Sequence, residues 1–341
     1  MKQAVMTSPG KIEFRDVPVP ETEAGKVLVK MMRIGICGSD IHVYHGTHPY
    51  TSYPVVQGHE VSGMVERVGE GVSGLSVGDR VTIQPQIFCG KCYPCTHGKP
   101  HICDELKVMG FQTTGAASEL FLVDAEKVLK LPFEMSYDHG AMVEPVSVGV
   151  HALGSGGITK GMNVLVLGAG PIGNLTSQVA KGLGASKVMI TDLSDHRLEV
   201  ARECGIDICI NPKKNDLGAA VLEHFGTDKA DLILECVGSN ATIEQAIDVA
   251  RKGSDIIIVG VFGDKPVVDL GLVQDRELRL IGTLMYQKED FRTAIELINT
   301  GTAKLAPLIS NHFAFEDYLK AYEYIEKQKD RTMKVMIDIQ N

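Results

Sequence analysis

The sequence predicts an α/β protein in two parts, a β-rich amino-terminal domain followed by a doubly wound parallel sheet. Three observations carry that prediction. The 341 residues exceed the usual size of one domain. Over roughly the first 150 residues, short apolar runs alternate with glycine and proline turns. From about residue 160 onward, strand-like runs alternate with helical stretches, which is the texture of βαβ units.

In the first part, Val27–Met31 and Asp79–Ile83 are short apolar runs. Gly69, Gly71, Gly74 and Gly78 crowd turns into ten positions, which suggests a barrel or sandwich. In the second part, Asn163–Leu167, Lys187–Thr191, Asp231–Glu235 and Asp255–Val259 are predicted strands, with helices over Asp195–Cys204 and Ala241–Arg251. Val268–Thr283 is predicted as a last strand region of that sheet, Glu289–Thr300 and Glu316–Lys327 as helices, and Met333–Ile339 as a terminal strand. No repeat or low-complexity linker separates the parts.

The composition, 44% hydrophobic and 23% charged, is that of an ordinary soluble globule. Lys and Arg total 34 against 43 Asp and Glu, a net charge of −9 with no basic surplus to neutralise phosphates, so nucleic acid is not an expected partner. The first residues lack the apolar core of a signal peptide, and every apolar run is broken before it could span a bilayer. A cytoplasmic protein with no membrane partner is expected. Of the eight cysteines, four fall between positions 89 and 103 and the rest at 37, 204, 209 and 236. That clustering favours metal binding over a disulfide framework, with Cys204, Cys209 and Cys236 left as core thiols.

Val164-Leu165-Val166-Leu167 runs into Gly168-Ala169-Gly170-Pro171-Ile172-Gly173, a G-x-G-x-x-G turn between a strand and a helix. Gly168 permits the tight turn, Gly170 lets a pyrophosphate approach the backbone, and Gly173 lets the helix pack on the strand. Pro171 suits a first helical turn, where its missing N–H is not needed. A second strand ends at Asp192, about 20 residues on, where an acid bonds the ribose hydroxyls of NAD and repels the extra phosphate of NADP. Arg197 lies further along and is placed to cover the adenine, or alternatively to accept NADP.

Two metal sites are also expected. Cys89, Cys92, Cys95 and Cys103 have the spacing C-x2-C-x2-C-x7-C, enough thiolates to close a tetrahedral zinc shell with no position for water, hence a structural site. A dispersed set is formed by Cys37, His59, Glu60 and Glu144. Its mixture of S, N and O donors suits a catalytic zinc, which keeps one position open.

Gly58-His59-Glu60-Val61-Ser62-Gly63, continuing through Gly69 to Val72, resembles the zinc signature of the medium-chain alcohol dehydrogenases. Cys37-Gly38-Ser39-Asp40, the cysteine cluster and the Gly168 turn occur in that family's order. The stretch Val143-Glu144-Pro145 through His151 is similar to its polyol branch, typified by sorbitol (L-iditol) dehydrogenase. The resemblance implies a GroES-like β-rich catalytic domain over 1–147, a Rossmann domain over 148–284 and a return segment over 285–341 that completes the catalytic domain. It implies that Cys37 and His59 hold a catalytic zinc with Glu60 or Glu144 as the third ligand, and that Asp40 orients His59. Ser39 and His42 would then relay the alcohol proton to solvent. Gly115-Ala116-Ala117-Ser118-Glu119 departs from the family's Gly-Gly-Phe-Ala-Glu.

The expected activity is oxidation of a secondary alcohol of a polyol or sugar-derived small molecule with NAD, giving a ketone, by a homo-oligomer (dimer or tetramer) that carries two zinc ions per chain. An L-threonine 3-dehydrogenase and an idonate or gulonate 5-dehydrogenase are the enzymatic alternatives. An NAD-binding, zinc-structured regulatory protein is the non-enzymatic one.

Overall fold

The computed structural model describes residues 1–340. The chain divides into one unit made of Met1–Glu144 and Ile309–Asn341 and a second made of Pro145–Leu308. Among the described residues, no helix is long and apolar enough to cross a membrane.

The first unit opens with the hairpin β1 (Lys2–Ser8) and β2 (Lys11–Asp16). There follow β3 (Lys26–Gly35), helix α1 (Gly38–Tyr44), β4 (Glu60–Val68), β5 (Arg80–Ile83), β6 (Gln86–Ile87), the short helix α2 (Tyr93–Thr96), β7 (Lys107–Val108), β8 (Leu120–Asp124) and β9 (Val128–Lys130). Helix α3 (Tyr137–Ala141) comes next, and α4 (Val143–Ser155) begins in the first unit and continues into the second from Pro145. In β3, Val27, Leu28, Val29, Met31 and Ile34 are fully buried, so this strand has no solvent face and is the spine of its sheet.

The second unit contains β10 (Asn163–Leu167), α5 (Pro171–Gly182), β11 (Lys187–Thr191), α6 (Asp195–Glu203), β12 (Ile208–Ile210), α7 (Leu217–Phe225), β13 (Leu232–Glu235), α8 (Asn240–Val249), β14 (Asp255–Ile258), α9 (Leu270–Asp275), β15 (Arg279–Gly282) and α10 (Lys288–Asn299). Its six strands are parallel throughout, in the order β12-β11-β10-β13-β14-β15. The order reverses direction beside β10, which is the doubly wound arrangement. Helix α10 shows how the layers close: Phe291, Ala294, Leu297 and Ile298 are buried at helical spacing while the opposite face is charged.

One prediction needs correction. Val268–Thr283 is not strand throughout: Asp269 accepts the Leu272 N–H at 3.0 Å and caps helix α9, leaving only Arg279–Gly282 for β15. The apolar run concealed a helix because a short apolar segment fits either period.

The chain then returns to the first unit as β16 (Ile309–Ala314), α11 (Tyr318–Gln328) and β17 (Lys334–Asp338). The resulting seven-stranded sheet runs β16-β17-β3-β4-β5-β9, with β8 pairing β3 outside that path. Strand β17 lies antiparallel to β3, placing Met336 opposite Gly35, and Gly35 lies opposite Glu60 of β4.

Gly173 marks the tightest approach in the second unit, since a Cβ there would lie 1.8 Å from the Gly168 carbonyl oxygen. Gly173→Ala must push α5 off β10, so we expect a loss of about 1–3 kcal/mol. In a thermal melt this corresponds to a Tm lower by about 2–10 °C, and an unchanged Tm would refute the contact.

Candidate active site

The dispersed set converges. Cys37 is the N-cap residue of α1, at the end of β3, and His59 immediately precedes β4, so two neighbouring strands deliver the two side chains. Ligand atoms of Cys37, His59 and Glu60 lie within 4.8 Å of one another. His59 and Glu60 are 4% and 1% exposed, so neither has water to solvate it. Glu144, in the first turn of α4, is buried too but falls outside this three-residue set.

Electrostatics fit a cation. Burial alone would push the His59 imidazole down, yet Asp40, the Cys37 thiol and Glu144 carry it up to about 10. Three anionic or anion-forming groups thus compete for whatever positive charge His59 can offer. Asp40 stands behind the ring, with Oδ1 3.6 Å from Nδ1, and its other oxygen accepts the Cys37 N–H at 2.9 Å. His59 Nδ1 is buried without a closer partner, so Asp40 is the carboxylate that faces this side of the ring.

Of the residues expected to relay a proton, Ser39 is half-buried and His42 exposed, both on α1, and neither belongs to the converging set. His42 Nδ1 lies 3.4 Å from Thr47 Oγ1. From the same loop, His48 stacks on Phe111 at 4.6 Å, and Phe111 in turn leans on the His59 ring at 4.8 Å. Burial, then the imidazoles of His42 and His59, hold His48 below its ordinary range.

The four-cysteine set is compact as well, with all sulfurs within 4.8 Å and Cys92 Sγ 3.7 Å from Cys103 Sγ. A tetrahedron with zinc–sulfur bonds of about 2.3 Å has edges of about 3.8 Å, so the spacing fits. Backbone N–H groups of Cys89 and Glu105 point at Cys103 Sγ, both at 3.3 Å, and that of Cys92 at Cys89 Sγ at 3.4 Å. Such donors favour thiolates. Desolvation raises the Cys92 thiol, but backbone donors from Asp104 and Cys95 bring it down to about 7. A third group, Asp138, His312 and Asp338, is already clasped by Arg33, whose Nε lies 2.9 and 3.0 Å from the two carboxylates.

In the second unit, Gly168 has φ +100° and donates to the Thr191 carbonyl at 2.8 Å, Gly170 is the N-cap of α5, and Pro171 and Ile172 begin the helix with Gly173. Asp192 closes the turn from β11: its Oδ2 accepts the Ala169 N–H and its Oδ1 the Ser194 N–H, both at 2.8 Å. Arg197 reaches the same place, 3.8 Å from Asp192 Oδ2 and 4.0 Å from where a Cβ on Gly170 would sit. Of the spare thiols, burial pushes Cys204 up to about 12 and Cys209 to about 11, and it raises Cys236 further, so none is reactive.

Residues 23–133 match the alcohol dehydrogenase GroES-like domain and residues 171–300 the zinc-binding dehydrogenase domain. The chain is 38% identical to the 2-dehydro-3-deoxy-L-galactonate 5-dehydrogenase of Pseudoalteromonas atlantica over 88% of each chain. It is 35% identical to sorbitol dehydrogenase 1 of Saccharomyces cerevisiae over 94% of this chain and 93% of that one. The crystal structure of the "short chain alcohol dehydrogenase (rspB)" of E. coli CFT073 complexed with NADH has a TM-score of 0.91 and 33% identity, over 99% of each chain. This chain belongs to the zinc-dependent medium-chain dehydrogenases. Within them it is polyol dehydrogenase-like.

In this dehydrogenase, sequence reasoning missed three residues beside the converging set: Lys334, Gln57 and Tyr322. Lys334 Nζ lies 2.7 and 2.6 Å from the two Glu60 oxygens and 3.1 Å from the Ile36 carbonyl, with 3% exposure. Burial would lower the Lys334 ammonium, but Glu60 and Cys37 raise it above its usual value. Its only sequence signal was a lysine inside an apolar terminal strand. Lys334→Met strands Glu60 without its cation, so we expect a loss of about 3–5 kcal/mol in the metal-free protein, part of it restored by adding Glu60→Gln. Urea denaturation of the single and double variants checks this; an additive double variant refutes the pair.

Proposed function

We propose that this dehydrogenase transfers a hydride from a secondary alcohol of a polyol or sugar-derived substrate to NAD and releases a ketone. The observation that carries the proposal is the buried Cys37–His59–Glu60 set with Asp40 behind the ring. Cys37, His59 and Glu60 would hold a zinc ion, whose positive charge would make an alcohol O–H more acidic. Glu144, close enough to raise His59, is the carboxylate we assign to substrate hydroxyls or water. Ser39 takes the substrate proton and passes it toward His42, three residues along α1 and exposed to solvent. Cys89, Cys92, Cys95 and Cys103 hold the second, structural zinc.

Gly168, Gly170, Pro171, Ile172 and Gly173 cradle the pyrophosphate at the start of α5, and Asp192 takes the ribose hydroxyls. Binding of NADH by the E. coli structural relative supports this choice of coenzyme. Sugar-derived substrates of the P. atlantica and yeast relatives support the substrate class.

Metal analysis of the purified protein should find two zinc ions per chain, corresponding to the two converging sets. Cys37→Ser should retain one and lose several kcal/mol of catalysis, a fall in kcat/KM of about a thousandfold. Full metal content with normal turnover in that variant would sink the assignment.

Coenzyme reduction should be followed across sorbitol, xylitol, galactitol, L-idonate, L-gulonate, hexitol phosphates and L-threonine, with NAD and with NADP. Oxidation of a polyol or sugar acid with NAD is expected, and Asp192→Ala should weaken NAD use about tenfold, the worth of a hydrogen bond to a charged group. A protein active on L-threonine alone, or preferring NADP, overturns the proposal.

A further inference from the structure

A polar chain runs from the active-site histidine into the interior of the first unit. Asp40 gives one oxygen to the Cys37 N–H and turns Oδ1 toward His59. That same Oδ1 accepts Gln57 Nε2 at 3.1 Å, and Gln57 Oε1 accepts the Tyr322 hydroxyl at 2.7 Å. Gln57 and Tyr322 are 3% and 1% exposed, so water cannot replace either bond.

The direction of this chain is fixed by chemistry. An amide has a donor end and an acceptor end, and a tyrosine that donates to Oε1 leaves only the NH2 end for Asp40. Flipping the amide would set its carbonyl oxygen against a buried carboxylate, which is costly in a low-dielectric interior. The Tyr322 hydroxyl could accept as well as donate, so the Asp40 carboxylate sets the orientation of the amide, and the packed Tyr322 ring keeps its hydroxyl within reach of Gln57. That ring stacks on Tyr44 at 4.7 Å with 3° between the planes, and on Tyr318 at 5.8 Å.

Without the Gln57 donor, Asp40 Oδ1 would face only an imidazole at 3.6 Å, beyond hydrogen-bonding distance. An under-satisfied buried carboxylate rotates or closes on the nearest donor, which here is the His59 ring. We propose that Gln57 and Tyr322 are positioning residues of the active site, which fix the Asp40 carboxylate and through it the His59 ring. The inference rests on His59 being a ligand of the catalytic metal.

The test uses the full-length protein loaded with Co²⁺ at both sites. It reads the visible spectrum of the catalytic cobalt and the rate at which a chelator removes it. Gln57→Met should release the catalytic cobalt about tenfold faster, the low end of the effect expected for partners of a metal-ligating histidine, and should shift its spectrum. Tyr322→Phe keeps the ring and its stacking and should act in the same direction, about threefold. Because Tyr322 acts through Gln57, the double variant should match Gln57→Met alone. Release from the four-cysteine site is the internal control and should not change.

Unchanged release and spectrum in both single variants, or independent additive effects, would overturn the proposal. If Gln57→Met does not fold, Tyr322→Phe alone decides by the same two readouts. A wild-type protein that takes up only one cobalt strikes the metal-site assignment itself, and this inference with it. Normal uptake with unaltered variants strikes this inference alone.

Discussion

The buried ion pair between Lys334 and Glu60 is the contact on which the first unit depends. It joins residues 274 positions apart, and both side chains are almost wholly removed from water. A desolvated charge is tolerated only when it is paired and hydrogen-bonded, and Lys334 finds three oxygens: both of Glu60 and the Ile36 carbonyl. Gly35 makes room, since a Cβ there would lie 2.3 Å from Glu60 Oε2. A side chain on β3 at that point would therefore separate the pair, leaving β17 held only by its ladders to β3 and β16.

That ammonium also organises the converging set. Ile36 directly precedes Cys37, and Glu60 directly follows His59. A single cation thus holds the backbone next to Cys37 and the side chain next to His59, from the last strand of the chain. Asp40 works from the opposite side, binding the Cys37 N–H and facing His59. The backbone of Cys37 is thus held from both sides, and His59 sits between the anchored Glu60 and the facing Asp40 carboxylate, so the set is shaped before any ligand arrives.

What the sequence disclosed follows from the range of each interaction. The central strands of the parallel sheet were legible because they are largely buried and read as apolar runs, and Asn163–Leu167 and Lys187–Thr191 coincide with β10 and β11, whereas the half-buried three-residue β12 was not predicted. The glycine turn and the cysteine cluster were legible because their geometry is written within a few residues. Val268–Thr283 misled because Asp269 caps a helix inside an apolar stretch. Lys334, Gln57 and Tyr322 were not legible at all: a lysine in a strand reads as a solvent-facing residue, and Gln57 meets Tyr322 across 265 positions. The different placement of the two glutamates was equally hidden: both are buried, but the ligand atoms of Glu60, unlike those of Glu144, fall in one group with Cys37 and His59.

The two metal sites consequently depend on folding in different ways. The four-cysteine site lies within Cys89–Cys103, and its sulfurs receive N–H groups from that stretch and the adjoining Glu105. Its loop is short, so closing it needs little chain ordering, and the thiolates can gather a metal before distant strands pair. The Cys37–His59–Glu60 set has no such autonomy. Cys37 comes from the end of β3, His59 from the start of β4, and Glu60 is fixed by Lys334 from β17. Until β17 docks, Glu60 lacks its cation and the Ile36 carbonyl lacks the Lys334 donor. Metal affinity at the active site is therefore linked to completion of the sheet by the last strand, whereas the lobe's affinity is linked only to its own loop.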